Sequence, residues 1–209
     1  MVGRIIETEA DIAEGMAWLA AHCPRMAAAH AETGMLPLRR KPDGFGQLLS
    51  AIVSQQVSVA SARAIWGRLE AAGAVTSEAV LAYDEEALRG LGLSRQKARY
   101  ARALAEAQID YAALRGATDA EVVRVLTAVS GIGVWTAEIY AMFSLWRADV
   151  FAPGDLALQE GARVLYGLEA RPKDKALREM AQAWSPWRSV AARTLWAYYH
   201  VVKSREGIA

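Results

Sequence analysis

Asp155 and the glycine pair Gly131 and Gly133 are the residues of this chain whose types and spacing suggest chemistry. Ser130-Gly131-Ile132-Gly133 separates two apolar helical runs, Val122 to Val129 before it and Val134 to Trp146 after it. Glycines two apart allow positive φ and a close backbone approach, and the first N–H groups of the next helix point outward beside them. Such a helix start suits a phosphate oxygen, although an ordinary tight helix turn uses the same residues. Downstream, Pro153-Gly154 leads to Asp155, which stands at the N-cap of a helix predicted over Leu156 to Tyr166. A capping aspartate is commonly structural. A carboxylate that accepts helix N–H bonds also stays ionised, and beside a phosphate-binding hairpin it could stabilise a cationic sugar.

The elements that must position these residues read as helices throughout. Thr118, with Glu121 three residues on, has the capping-box pattern ahead of Val122 to Val129. Short helices are predicted over residues 9 to 21 and 24 to 32, where His22 and His30 have no partner at ligand spacing and are assigned no chemistry. Asp43 is the expected cap of a helix whose face is Phe45, Leu48, Leu49, Ile52 and Val53; Gln55-Gln56 break that face, and Ser58 restarts a helix through Leu69. Asp84 is placed to cap Glu85 to Gly90, and Leu91 to Ser94 turn into a helix from Arg95 to Ala107. Beyond Asp155 the helix closes at Gly167, Pro172 opens another, and Ser185-Pro186 form an N-cap and first-position pair for a last helix, Trp187 to Val202. No period-2 run with hairpin turns is present, so the pattern alone predicts an all-α fold.

With 209 residues, 54% of them hydrophobic, the chain can form one large or two small cores. No stretch has the roughly 18 uninterrupted apolar residues of a membrane span. Glu7, Glu9 and Asp11 stand where a signal peptide would be apolar, so a cytoplasmic protein is expected. The single cysteine, Cys23, excludes an internal disulfide and any four-cysteine cluster. A net charge of +1 decides nothing about nucleic acid. Its distribution is more useful. Arg89, Arg95, Lys97, Arg99 and Arg102 form a run without an acid, and residues 171–205 hold eight Lys or Arg against Asp174 and Glu179. Either run could neutralise phosphates or be a solvated helix face.

Five blocks in order, FGQLLSAIVSQQVSVASARAIWGRL (45–69), LRGLGLSRQKARYARALA (88–105), SGIGVWTAEIYAMF (130–143), DVFAPGDLALQ (149–159) and WSPWRSVAARTLWAYYH (184–200), resemble the helix-hairpin-helix DNA glycosylases. Within them the chain resembles the AlkA-like 3-methyladenine branch. The resemblance covers roughly residues 44 to 200. It implies two helical subdomains around a cleft within a single 1–209 domain, one subdomain roughly 45–150 and the other 1–44 plus 151–209.

Asp155 matches the catalytic aspartate of that family. Trp135 and Trp196 match its base-pocket aromatics, and Tyr140 and Trp146 lie nearby in sequence as further candidates, although aromatics at helical spacing are often core. Gln56, with Gln55 beside it, matches the wedge that fills the gap left by a flipped base. The hairpin, Gly131, Ile132 and Gly133, is expected to bind phosphate. The family pattern also implies a monovalent cation, Na or K, on the carbonyls of Thr127, Val129 and Gly131. In strand-cutting relatives a Lys occupies the position of Trp135; an indole cannot form their Schiff base, so a monofunctional enzyme is expected. The resemblance implies no required cofactor, no iron–sulfur cluster, and a monomer acting on duplex DNA that contains alkylated bases of the 3-methyladenine type. Other readings are the same scaffold with another lesion, hypoxanthine or an oxidised purine, a non-catalytic helix-hairpin-helix DNA-binding module, or an all-α interaction protein.

Overall fold

The structure, a computed structural model, describes residues 2–205. The chain opens with α1 (Glu9–His22) and α2 (Pro24–Thr33). It continues through α3 (Phe45–Ser54), α4 (Val59–Ala71), α5 (Ser77–Ala82), α6 (Glu85–Gly90), α7 (Arg95–Glu106), α8 (Tyr111–Gly116) and α9 (Asp119–Thr127). It passes into α10 (Val134–Phe143) and ends with α11 (Leu156–Tyr166), α12 (Asp174–Met180) and α13 (Arg188–Arg205). The fold is all-α. Among the described residues the extended pairing is one antiparallel bridge, Ile5 with Arg147, and no helix is long and apolar enough to cross a membrane.

Two compact units divide the chain. One is Lys41–Tyr140; the other joins Val2–Arg40 to the chain from Ala141 onward, so the boundary lies inside α10. In the first unit Leu48, Leu49, Ile52 and Val53 of α3 are buried and pack on α7, whose Ala98, Ala101, Leu104 and Ala105 are buried too. The alanines let a branched face approach the α7 backbone closely. In the second unit α13 is the hub: residues Ser189 to Leu195 are buried, and α1, α2 and α11 pack on it. A Cβ added at Gly15 of α1 would lie 2.7 Å from Trp187 and Val190, and one at Gly161 of α11 would lie 2.7 Å from Leu195 O. Both glycines are there for close helix approach.

Most caps follow the sequence. Ser58, Asp84, Ser94, Thr118 and Asp155 each accept a backbone N–H at the start of their helix. Four expectations are corrected. Asp43 does not cap α3, whose N-cap is Gly44; its carboxylate takes the Arg115 guanidinium at 2.6 and 3.2 Å, the stronger partner for an ionised group. Glu121 bonds Arg124 at 2.6 and 2.9 Å, so Thr118 supplies one half of the box. Helix α12 starts two residues after Pro172, with Lys173 at its N-cap. Helix α13 starts at Arg188, and Ser185 Oγ donates to Asp149 at 2.8 Å instead of capping it.

Gly161 tests the hub. Because the atom facing it is a backbone oxygen, Gly161→Ala should lower unfolding free energy by about 1–3 kcal/mol, read from urea denaturation midpoints at unchanged m-value.

Candidate active site

The second unit holds Asp155. It follows the buried stretch Val150 to Pro153 and occupies the N-cap of α11. Its Oδ1 accepts N–H bonds from Ala157 at 2.9 Å, Leu158 at 3.0 Å and the Trp196 indole at 3.1 Å. All three donors are neutral, so they orient the carboxylate without cancelling its charge, and the helix N-terminus favours that charge. Trp196 lies on α13, 41 residues away in sequence. Its ring is 5.7 Å from that of Phe143, over which the Arg193 guanidinium sits at 4.7 Å. Arg193 is buried and donates to Ser189 O at 2.9 Å; burial, and then the neighbouring Arg39, bring its pKa down to about 10, which leaves it a cation at neutral pH.

The loop that delivers Asp155, residues 144–155, is tied down along its length. Asp149 accepts two Arg188 bonds at 2.7 and 2.9 Å and the Ser185 hydroxyl. Ser189 N donates to Ala148 O at 2.9 Å, and the Ser189 hydroxyl lies 2.6 Å from Arg147 O and 2.8 Å from Val150 O. Gln159 Nε2 donates to Pro153 O at 2.8 Å. The carboxylate is therefore placed by α13 at both ends of the loop: through Asp149 and Ser189 before it, through Trp196 at it. Arg188 and Ser189 were not singled out from sequence as members of this frame, since their partners on the loop are 39 and 42 residues away.

The first unit holds the hairpin between α9 and α10. Gly131 has φ +95, and a Cβ there would strike the Tyr100 ring. Gly131 O accepts Gln55 Nε2 at 2.9 Å. Ile132 is buried and its N–H donates to Val129 O at 3.1 Å, so the hairpin uses that group internally; Gly133 is exposed and its carbonyl accepts from Ala137 N at 3.0 Å, opening α10. Among the carbonyls expected to hold a cation, Val129 O and Gly131 O have each accepted one bond, which leaves one lone pair on each. The donor set still fits a monovalent ion.

Gln56 is exposed and left-handed, with φ +54, directly after the α3 C-cap Gln55. Trp135 on α10 is 46% exposed. Tyr140, expected as a further base-binding ring, lies instead in the core at 3% exposure: its hydroxyl accepts the Gly44 N–H at 2.7 Å, and burial pushes its pKa up to about 12. Trp146 carries the Arg40 guanidinium 3.4 Å above its ring. The basic run on α6 and α7 is largely paired within its own unit. Arg95 and Arg99 lie 3.7 and 3.3 Å from Glu85, Arg102 donates to Tyr83 O at 2.6 Å, and Lys97 is buried. Arg89, Arg95 and Arg99 remain exposed, so Lys97 is the member of the run that packing withdraws from solvent.

The chain is thus all-α, with a capped aspartate that follows a glycine hairpin between two helices and a Pro-Gly loop. Residues 49–186 match the HhH-GPD superfamily of base excision DNA repair proteins, and the chain belongs to that superfamily. It is 30% identical to DNA-3-methyladenine glycosylase 1 of Schizosaccharomyces pombe over 75% of this chain and 72% of that protein. The crystal structure of DNA-3-methyladenine glycosidase from Bacillus halodurans superposes with a TM-score of 0.82 at 37% identity, covering 89% of each chain. A Schizosaccharomyces pombe 3-methyladenine DNA glycosylase in complex with abasic DNA gives 0.75 at 27% identity, over 88% of this chain and 95% of that one.

Asp149 gives a pH test of the frame. Burial pushes its carboxyl up, but the Arg188 and Ser185 bonds outweigh burial and hold it below its ordinary 3.8. A depressed carboxylate stabilises the fold above its unfolded pKa and loses that effect as pH falls through the folded one. Asp149→Asn should therefore cost about 1.5–3 kcal/mol at neutral pH. Thermal melts should also show a shallower loss of stability than in the wild type as pH is lowered below 3.8.

Proposed function

We propose that this chain is a monofunctional DNA glycosylase that removes alkylated bases of the 3-methyladenine type from duplex DNA, acting as a monomer and leaving an abasic site for base excision repair. The observation that supports it most is the Asp155 carboxylate, oriented by three neutral N–H groups at a helix start. The names of the relatives point to the same substrate class.

In the reaction the C1′–N bond breaks and its electron pair leaves with the base. An alkylated purine that is already cationic departs neutral, so no strong acid is required on the leaving group. Positive charge then develops at C1′ and O4′ of the sugar, and the Asp155 carboxylate stabilises it. Water adds to C1′ and gives up its proton to Asp155 or to solvent. Trp196 holds the carboxylate in orientation through its indole N–H. Trp135 offers an exposed face to a cationic base, an attraction of about 0.5–2 kcal/mol. Gln56 fills the space left in the duplex, with Gln55 fixing the turn beneath it. Gly131, Gly133 and the first turn of α10 grip a phosphate, with Ile132 as the packed tip between them. When bound, a Na or K ion on the carbonyls of Thr127, Val129 and Gly131 would supply positive charge next to that phosphate. No redox cofactor and no iron–sulfur cluster enters this scheme.

Methylated duplex DNA incubated with the wild-type chain should release 3-methyladenine. Asp155→Asn should keep its melting temperature and duplex affinity and lose activity by about 10²–10³-fold. A folded, DNA-binding wild type that releases no base would leave the passive binding module as the better reading. In the same reactions borohydride should trap no covalent protein–DNA adduct, since position 135 is an indole; trapping or strand scission by the pure protein would refute the monofunctional assignment.

A further inference from the structure

The Gln56 turn is held from beneath by α7. Lys97, in the first turn of α7, is 9% exposed, and its Nζ donates to Val53 O at 2.7 Å. Val53 is the last but one residue of α3, so its carbonyl is among those that a helix end leaves without an intrahelical partner. A cation is also the group that the C-terminal end of a helix dipole favours. Two residues later the chain turns through Gln55, whose side chain reaches Gly131 O, into Gln56 at φ +54. A left-handed non-glycine residue costs about 1–2 kcal/mol and persists where its surroundings determine it. Here the surroundings are Lys97 on the α3 side and the Gln55 link on the hairpin side. Both line one groove of about 360 Å³ with Gln56, Val57, Tyr100 and Gly131.

Burial and the 2.7 Å bond to Val53 O turn the Lys97 ammonium inward, which makes it a poor phosphate contact. Burial also lowers its pKa from the ordinary 10.5. The neighbouring cations Arg95 and Arg99 point to Glu85, consistent with a separate role for Lys97.

We propose that Lys97 is a positioning residue for base extrusion: by holding the end of α3 through Val53 O, it fixes the left-handed turn from which the Gln56 side chain enters the duplex. The inference rests on the glycosylase reading and assigns Lys97 no contact with substrate.

The test compares one lesion in two settings, paired within a duplex and unopposed in a single-nucleotide bulge, where little is left for a wedge to disrupt. Lys97→Met keeps the stem and removes the donor. It should lower kcat/KM on the paired lesion by about tenfold, the effect of roughly 1.4 kcal/mol of lost unstacking assistance, and change the bulged one by less than about twofold. Lys97→Arg, which keeps a charged donor, should restore the wild-type ratio, and Gln56→Ala/Lys97→Met should be no worse on the paired lesion than Gln56→Ala. An equal fall on both substrates, or additive losses in the double variant, would overturn the proposal and leave Lys97 as a plain packing residue. If Lys97→Met does not fold, Lys97→Gln, one atom too short to reach Val53 O, is read by the same ratio. Fluorescence of a 2-aminopurine beside the lesion is followed in parallel, because it reports unstacking without chemistry. A wild type that releases no base from either substrate would count against the glycosylase reading; Lys97 would then stand or fall on whether its variant loses the fluorescence gain.

Discussion

One carboxylate oxygen joins two helices in the second unit. Asp155 Oδ1 takes two N–H groups from the start of α11 and a third from the Trp196 indole of α13, and each bond needs the others to be in register. Neutral donors are the right choice for such a group. An arginine in their place would fix the carboxylate as firmly but would neutralise the charge that the proposed reaction uses. The packing of α11 on α13 at Gly161 and the loop bonds through Asp149 and Ser189 can be understood as the conditions for that geometry. Together they bring the N-terminus of α11 within 3.1 Å of an indole on the neighbouring helix.

Positive charge is handled in the opposite way. The chain has almost no net charge, and many of its arginines are held by acids or carbonyls of their own unit: Arg188 by Asp149, Arg115 by Asp43, Arg99 by Glu85, Arg205 by Glu32. Of these, the exposed pairs at Arg115, Arg99 and Arg205 contribute little to stability and are readily exchanged, whereas Asp149 is half-buried beneath Arg188. The phosphate recognition proposed for the hairpin is compatible with that economy, since it would depend on hairpin geometry and helix dipole rather than on a surplus of side-chain cations.

Backbone conformation at the two turns of the first unit is set by tertiary contacts. Gly131 is left-handed and has Tyr100 where a side chain would be, so the residue type follows from the packing. Gln56 is left-handed without being glycine or asparagine, which local preference disfavours. The Gln55 to Gly131 bond and the Lys97 to Val53 bond bracket that turn, so the two loops are mechanically one piece.

Short-range signals made much of this protein legible from its residues alone. The 3.6-residue period located α3, and Ser58, Asp84, Thr118 and Asp155 marked helix starts, because a cap is decided within three residues of the chain. The glycine hairpin and the single cysteine were equally plain. What tertiary structure alone decided is which polar groups meet across long separations. Tyr140 was a further aromatic candidate near Trp135 in sequence until packing buried it against Gly44, and Lys97 was one cation in a run until α7 turned it onto the end of α3. The unit boundary inside α10 leaves no mark either, since a continuous helix passes through it. Periodicity says which face of a helix is buried; the partner of a polar atom on that face is set by the other helices, and nothing within a few residues encodes it.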